Sequence, residues 1–297
     1  MRIACIGEAM VELSLEPAPS MQARVGFAGD TLNTAIYLKR AAPALEVAYV
    51  TRLGRDDLSS RMRDYMASEG LDLADVEVSE TRRPGLYAIS TDETGERSFS
   101  YWRDSSAARE LFQQDGAAVF TMLEKYDVLY LSAITLAILP DWVRSELCDW
   151  LARWRGPDRS LVFDSNYRPS LWSSAEVARS EIARIWELCD IALPSVDDEM
   201  AIFGEADAGA VAARMRACGV CQGALKCASA GPVSLGAPVS QAYPPAARVV
   251  DTTAAGDSFN AGYLAALLTG SGQAEALMAG HMLACKVVGV KGAIAPR

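Results

Sequence analysis

Short runs of apolar, often β-branched residues alternate along the chain with longer segments whose apolar positions recur every three to four residues. The short runs, at Arg2–Ile6, Val47–Thr51, Val128–Leu131, Leu161–Asp164, Ile191–Pro194 and Ala224–Cys227, read as buried strands. Helical periodicity occupies Thr31–Ala41, Leu58–Ser68, Trp142–Arg155, Ala175–Glu187, Asp197–Phe203 and Ala208–Cys218, and Gly204 and Gly219 sit where helix-terminating glycines belong. This alternation predicts βαβ units, and therefore an α/β fold whose central, mostly parallel sheet is flanked by helices. Gly85–Arg103 departs from it. Apolar and polar residues alternate there on both sides of DETGE (Asp92–Glu96), which predicts an antiparallel hairpin belonging to a small separate sheet. Gly231–Pro245, rich in Pro, Gly and Ser, reads as a loop or an irregular hairpin.

The 297 residues, 51% hydrophobic and 22% charged, are enough for a large core and exclude intrinsic disorder. A net charge of −10 argues against binding nucleic acid or an anionic membrane, both of which require a basic surface. The first residues lack the pattern of a secretion signal, and the uncharged runs Ser258–Ala274 and Cys227–Ala247 are broken by polar residues, Gly or Pro, so a cytoplasmic location is expected. Seven scattered cysteines form no disulfide framework. Cys218-Gly-Val-Cys221 lacks a second pair that would complete a zinc site. The lone histidine, His281, lies in a helical pattern and reads as structural.

Neither GxxxxGK[ST] nor GxGxxG occurs. The most informative string is DTTAAGDSF, Asp251–Phe259. An apolar strand, Ala247–Val250, is expected to run into a small-residue turn that opens a helix at about Gly256. Small side chains at Ala254, Ala255 and Gly256 would leave backbone N–H groups uncovered at the positive end of the helix dipole, an arrangement that can hold a phosphate or a phosphoryl transition state. Asp257 would stand at the centre of that anion hole, as a proton acceptor or, taken alone, as an ordinary first-turn capping carboxylate.

This nine-residue string resembles the C-terminal signature of the PfkB/ribokinase family of sugar kinases. Gly7-Glu8, Gly29-Asp30-Thr31-Leu32-Asn33 and Leu53–Asp56 extend the resemblance over nearly the whole chain. It implies one ribokinase-like domain over residues 1–297, with a β-lid built from about 8–25 and 80–107. It also implies that Asp257 is the general base toward the acceptor hydroxyl, that Ala254, Ala255, Gly256 and Asp257 form the anion hole, and that ATP and Mg²⁺ take part. GDTLNTA, RPGLY, TGERSFSYWR, LSAITLAIL and FDSNYRPSLW narrow the resemblance to the kinases of 2-keto-3-deoxygluconate (KDG).

By that resemblance, Gly29, Asp30 and Asn33 would meet sugar hydroxyls, and Tyr87 and Tyr101 would close over the sugar. Arg103 and Arg168 would hold its carboxylate, since a guanidinium can bind one through two parallel hydrogen bonds; each arginine alone reads equally as a surface residue. Asn166, Ser195, Lys226, Ala228, Gly231, Ala254 and Gly256 would line the nucleotide side, with Asp198 or Glu199 influencing Mg²⁺ indirectly. The chain departs from the family at Ala28, Ser195 and Ala228, where relatives carry Gly, Asn and Gly. Open alternatives are a kinase of another sugar acid or of a neutral ketose, and a silent sugar-acid-binding homologue. The expected partners are a small sugar acid, ATP and a second copy of the chain in a homo-oligomer. Positive potential gathered at Arg103, Arg168, Mg²⁺ and the helix amides would reconcile anionic ligands with an acidic protein.

Overall fold

The computed structural model describes residues 1–16, 20–91 and 97–297. The chain opens with β1 (Arg2–Ile6), β2 (Met10–Leu15), β3 (Ala23–Ala28) and α1 (Asp30–Ala41), followed by β4 (Glu46–Val50) and α2 (Asp57–Ser68). Next come β5 (Gly85–Thr91), β6 (Arg97–Trp102), β7 (Val128–Ser132), α3 (Ala133–Ile138) and α4 (Asp141–Trp154). The second half runs through β8 (Ser160–Asp164), α5 (Ala175–Trp186), β9 (Ile191–Ala192), α6 (Val196–Phe203), α7 (Ala208–Ala217), β10 (Ala224–Leu225) and β11 (Val233–Ser234). It ends with α8 (Ala255–Leu268) and α9 (Gln273–Val287).

A five-stranded parallel sheet, ordered β9-β8-β7-β1-β4, forms the centre. Its strands are continuous apolar runs because both faces are covered. Ala4, Ile6, Leu129, Leu131 and Phe163 point into a core shared with α4 and α5, where Leu147, Leu151, Ile182 and Trp186 are buried. Ile3, Cys5, Tyr49 and Tyr130 point the opposite way, toward Leu32 and Ile36 of α1, Leu264 of α8 and Leu277 of α9. The two-residue period of the strands thus separates one apolar run into two cores.

A second sheet of four strands, ordered β3-β2-β5-β6, stands apart from the first. β5 and β6 pair antiparallel, with Tyr87 opposite Tyr101, as the alternating pattern of Gly85–Arg103 predicts; the turn Asp92–Glu96 lies outside the described residues. β2 joins β5 in parallel and β3 antiparallel, a connection that local patterning does not announce.

The predicted strands and helices coincide with observed ones to within a residue or two, except that β9 and β10 are shorter, at two residues each. The expected strand Ala247–Val250 does not form. The amides of Val250 and Asp251 bond the carbonyl of Val288 at the end of α9, at 2.7 and 3.1 Å, and Val249 and Val250 remain exposed. Gly231–Pro245 supplies β11 (Val233–Ser234), which pairs antiparallel with β10 as a short irregular hairpin, and runs as a loop from there on. His281 is buried and bonds the Pro244 carbonyl at 2.6 Å. Among the described residues no helix is long and apolar enough to cross a membrane.

Candidate active site

The carboxyl ends of the parallel strands meet the start of two helices, the usual place for a ligand crevice in an α/β sheet. β7 ends at Ser132 and β8 at Asp164, while α1 begins at Asp30 and α8 at Ala255. The loop into α8 turns through Ala254, which takes a left-handed backbone (φ 61°, ψ 16°) at a cost of about 1 kcal/mol for a residue with a Cβ. This turn sends Asp257 inward. The amide of Ala255 is spent on a turn bond to the Thr252 carbonyl at 3.1 Å, so it adds nothing to an anion hole; those of Gly256 and Asp257 have no partner among the described residues.

Asp257 is 9% exposed and accepts a hydrogen bond from Asn33 Nδ2 at 2.8 Å. Thr34, one residue on, bonds the Asp257 carbonyl at 3.2 Å, tying α1 to α8. Burial, then the negative charges of Asp30 and Asp164, push the Asp257 carboxyl up to about 8, against the opposing pull of Asn33 and Lys226. Once ionised, toward pH 8, such a group is a stronger proton acceptor than a solvated aspartate.

Asp30 and Asp164 are each held in place. Asp30 accepts from Asn166 Nδ2 at 2.8 Å and from the Ser132 hydroxyl. Asp164 accepts from Lys226 Nζ at 2.8 Å and from Asn260 Nδ2 at 2.6 Å, and Asn260 also bonds the Tyr130 hydroxyl. A Cβ added at Gly256 would stand 3.5 Å from Lys226 Nζ, so the lysine lies against the helix start. Gly29 is required sterically: a Cβ there would lie 2.2 Å from the Glu8 carbonyl oxygen. Ala28 is a buried strand residue in register with Met10 and fits with its methyl group.

The cations predicted for a carboxylate are in different situations. Arg168 is half exposed, with Nη1 bonded to its neighbour's carbonyl at 2.8 Å and 3.8 Å from Asp198. Arg103 is buried and gives Nε, at 2.8 Å, and Nη2 to Glu8 Oε2, which leaves its Nη1 end for any ligand. The Tyr87 hydroxyl bonds Glu12, while Tyr101, half exposed, packs beside it with the rings tilted by 31° and their centroids 5.7 Å apart. The positive charges at the cleft are therefore already paired with carboxylates.

On the opposite side, Ser195 caps α6, and its hydroxyl donates to Asp198 at 2.7 Å. Asp198 faces the cleft beside Arg168, with burial raising its carboxyl above the usual range. Glu199 is fully buried against Arg214 instead, and burial pushes it up to about 7. Ala228 takes a left-handed backbone (φ 45°), and Gly231 (φ 83°) turns under the Tyr243 ring, where a Cβ would be 2.6 Å away. Sequence reasoning named Asp257, Asp30, Asn33, Asn166 and Lys226, which the fold gathers. It passed over Ser132, Asp164, Asn260, Glu8 and Arg97, although all except Asn260 lie in strings it had singled out.

The family model for pfkB family carbohydrate kinases matches residues 1–297. The 2-dehydro-3-deoxygluconokinase of Escherichia coli (strain K12) is 42% identical over 306 residues, covering 100% of this chain and 97% of the relative. A 2-dehydro-3-deoxygluconokinase from Thermotoga maritima shares the fold at a TM-score of 0.85 and 18% identity, covering 99% of this chain and 94% of that one. The aminoimidazole riboside kinase of Salmonella enterica, solved with aminoimidazole riboside and an ATP analogue, gives a TM-score of 0.81 at 22% identity, covering 98% and 94%.

Proposed function

The chain belongs to the pfkB family of carbohydrate kinases, and within that family we propose that it transfers the γ-phosphoryl group of ATP to 2-keto-3-deoxy-D-gluconate, giving the 6-phosphate. The observation that carries the chemistry is a buried, proton-accepting carboxylate at a helix start, Asp257, flanked by the uncommitted amides of Gly256 and Asp257. The substrate rests on full-length similarity to kinases of that name.

Asp257 takes the proton from the acceptor hydroxyl as its oxygen attacks the γ-phosphorus in line. The first-turn amides and the dipole of α8 neutralise charge on the transferring group. Gly29, Asp30 and Asn33 orient sugar hydroxyls. Arg168 and the free end of Arg103 receive the carboxylate, with Tyr87 and Tyr101 above the sugar. Asn166, Ser195, Lys226, Ala228, Gly231, Ala254 and Gly256 serve the nucleotide; Lys226 leaves Asp164 for a phosphate oxygen.

Among the described residues no three His, Cys, Asp or Glu side chains are arranged to hold a metal. A Mg²⁺ would be carried mainly by phosphates and water, with Asp198 as the acidic side chain nearest the phosphate side, and would supply charge neutralisation when bound. The four-stranded sheet acts as a lid over the sugar. Its exposed Trp102, on the opposite face of β6 from Tyr101, suits contact with a second copy in a homo-oligomer acting in the cytoplasm. The test is turnover on KDG, its C4 epimer, fructose and ribose with ATP and GTP; faster turnover on a neutral sugar overturns the substrate, and KDG binding without nucleotide consumption overturns the kinase reading.

A further inference from the structure

The four-stranded sheet and the loop leading into α8 face each other across a groove of about 260 Å³, lined by Arg97, Phe99 and residues 249–253. Arg97, the first residue of β6, spans it. Its Nη1 donates to the Asp251 carboxylate and to the Thr253 hydroxyl, the latter at 2.9 Å. Asp251 is 5% exposed, and its side chain also receives the amides of Thr253 at 3.0 Å and Gly292 at 2.6 Å. Thr253 is thus gripped through both its amide and its hydroxyl. The next residue is Ala254, whose strained left-handed backbone aims the amides of Gly256 and Asp257.

We propose that Arg97 is a positioning residue for phosphoryl transfer, fixing the Thr252–Asp257 loop through Asp251 and Thr253 when the sheet lies over the site. The inference rests on the reading of that loop as the phosphoryl-transfer loop and deepens it. A sheet closed over the acceptor then sets the loop, so the anion hole is in register only when the sugar is covered. Such coupling acts on the transfer step, since a small misplacement of reacting groups costs up to about 100-fold in rate. It bears little on folding, because Asp251 keeps two amide donors when the guanidinium is removed.

The test compares wild type, Arg97→Met and Arg97→Lys on whichever sugar the wild type turns over fastest. Arg97→Met is expected to lower kcat about 10–100-fold with the KM for ATP changed less than about threefold. Arg97→Lys should recover part of the loss. Millimolar free guanidinium should restore Arg97→Met and leave Asp257→Asn inactive. Amides 253–257 should exchange with solvent faster in Arg97→Met than in wild type. Unchanged kcat, or a loss of kcat with exchange at 253–257 unaltered, overturns the proposal. Failure of the wild type on KDG would sink the substrate reading alone, since loop exchange and guanidinium rescue still decide the role of Arg97.

Discussion

Replacing Asp257 by Asn should stabilise the protein while removing its turnover, and the gain should grow with pH. Burial first, and then the negative charges of Asp30 and Asp164, raise the carboxyl from 3.8 to about 8. In the unfolded chain it ionises near 3.8; in the fold it stays protonated until about pH 8. A raised carboxyl stabilises the fold fully below the unfolded value, and that contribution is lost as pH rises toward the folded value. Between those limits the folded protein must retain a proton that the unfolded chain has released, which costs about 1.4 kcal/mol per pH unit. Asparagine does not titrate, and its amide oxygen can still accept from Asn33 Nδ2. The stability gap between variant and wild type should therefore widen by about 3 kcal/mol from about pH 5.5 to about pH 7.5. Isothermal urea unfolding of both proteins at several pH values measures it, and the difference cancels groups that titrate alike in the two. A gap that stays constant across this window, or narrows, would refute the raised carboxyl. In the same variant the loss of a general base should lower kcat by roughly 10²–10⁴-fold; near-normal turnover would remove Asp257 from that role.

The raised carboxyl also predicts an acid limb in the kcat/KM profile of the wild type, with rate rising toward about pH 8. Asp30→Asn removes the neighbouring negative charge that adds to burial, so the limb should move to lower pH whatever happens to the maximal rate; an unmoved limb would dissociate the two groups. Arg168→Ala, at a half-exposed site, should raise KM for a sugar acid roughly 10-fold or more and leave neutral sugars unaffected, as read from paired steady-state assays. Gly29→Ala puts a Cβ against the Glu8 carbonyl and should cost about 2 kcal/mol or more in unfolding free energy; full stability with full activity would contradict that packing.

Exposure separates the two arginines assigned to the ligand. The strings around Arg103 and Arg168 look alike in kind, a basic residue among aromatics and small polar residues, and both suggest a surface cation. Folding buries Arg103 and pairs it with Glu8, which lies 95 positions earlier, while Arg168 stays at the rim. The expectation that Arg103, Arg168, Mg²⁺ and the helix amides gather positive potential in one cleft meets carboxylates in the same place. The cleft holds Asp30, Asp164 and Asp257 together, and its cations begin in ion pairs. A ligand anion meets the free Nη1 end of Arg103 and cations already paired with carboxylates, rather than an empty positive field.

Local pattern was sufficient for what short-range physics controls. The central strands, the helices that cover them and the α8 start were legible because continuous apolar runs and three-to-four spacing state directly which faces are buried. The hairpin of β5 and β6 was legible from its alternation, and DTTAAGDSF carried its chemistry in a single turn. Tertiary structure alone decided the pairing of β2 with β5, the failure of 247–250 to form a strand beside the end of α9, and the partners of each charge. It also set the environment of Asp257. The energy that raises this carboxyl comes from desolvation and from carboxylates 227 and 93 residues away in sequence, at Asp30 and Asp164. Such fields depend on distance through space, which periodicity along the chain does not encode.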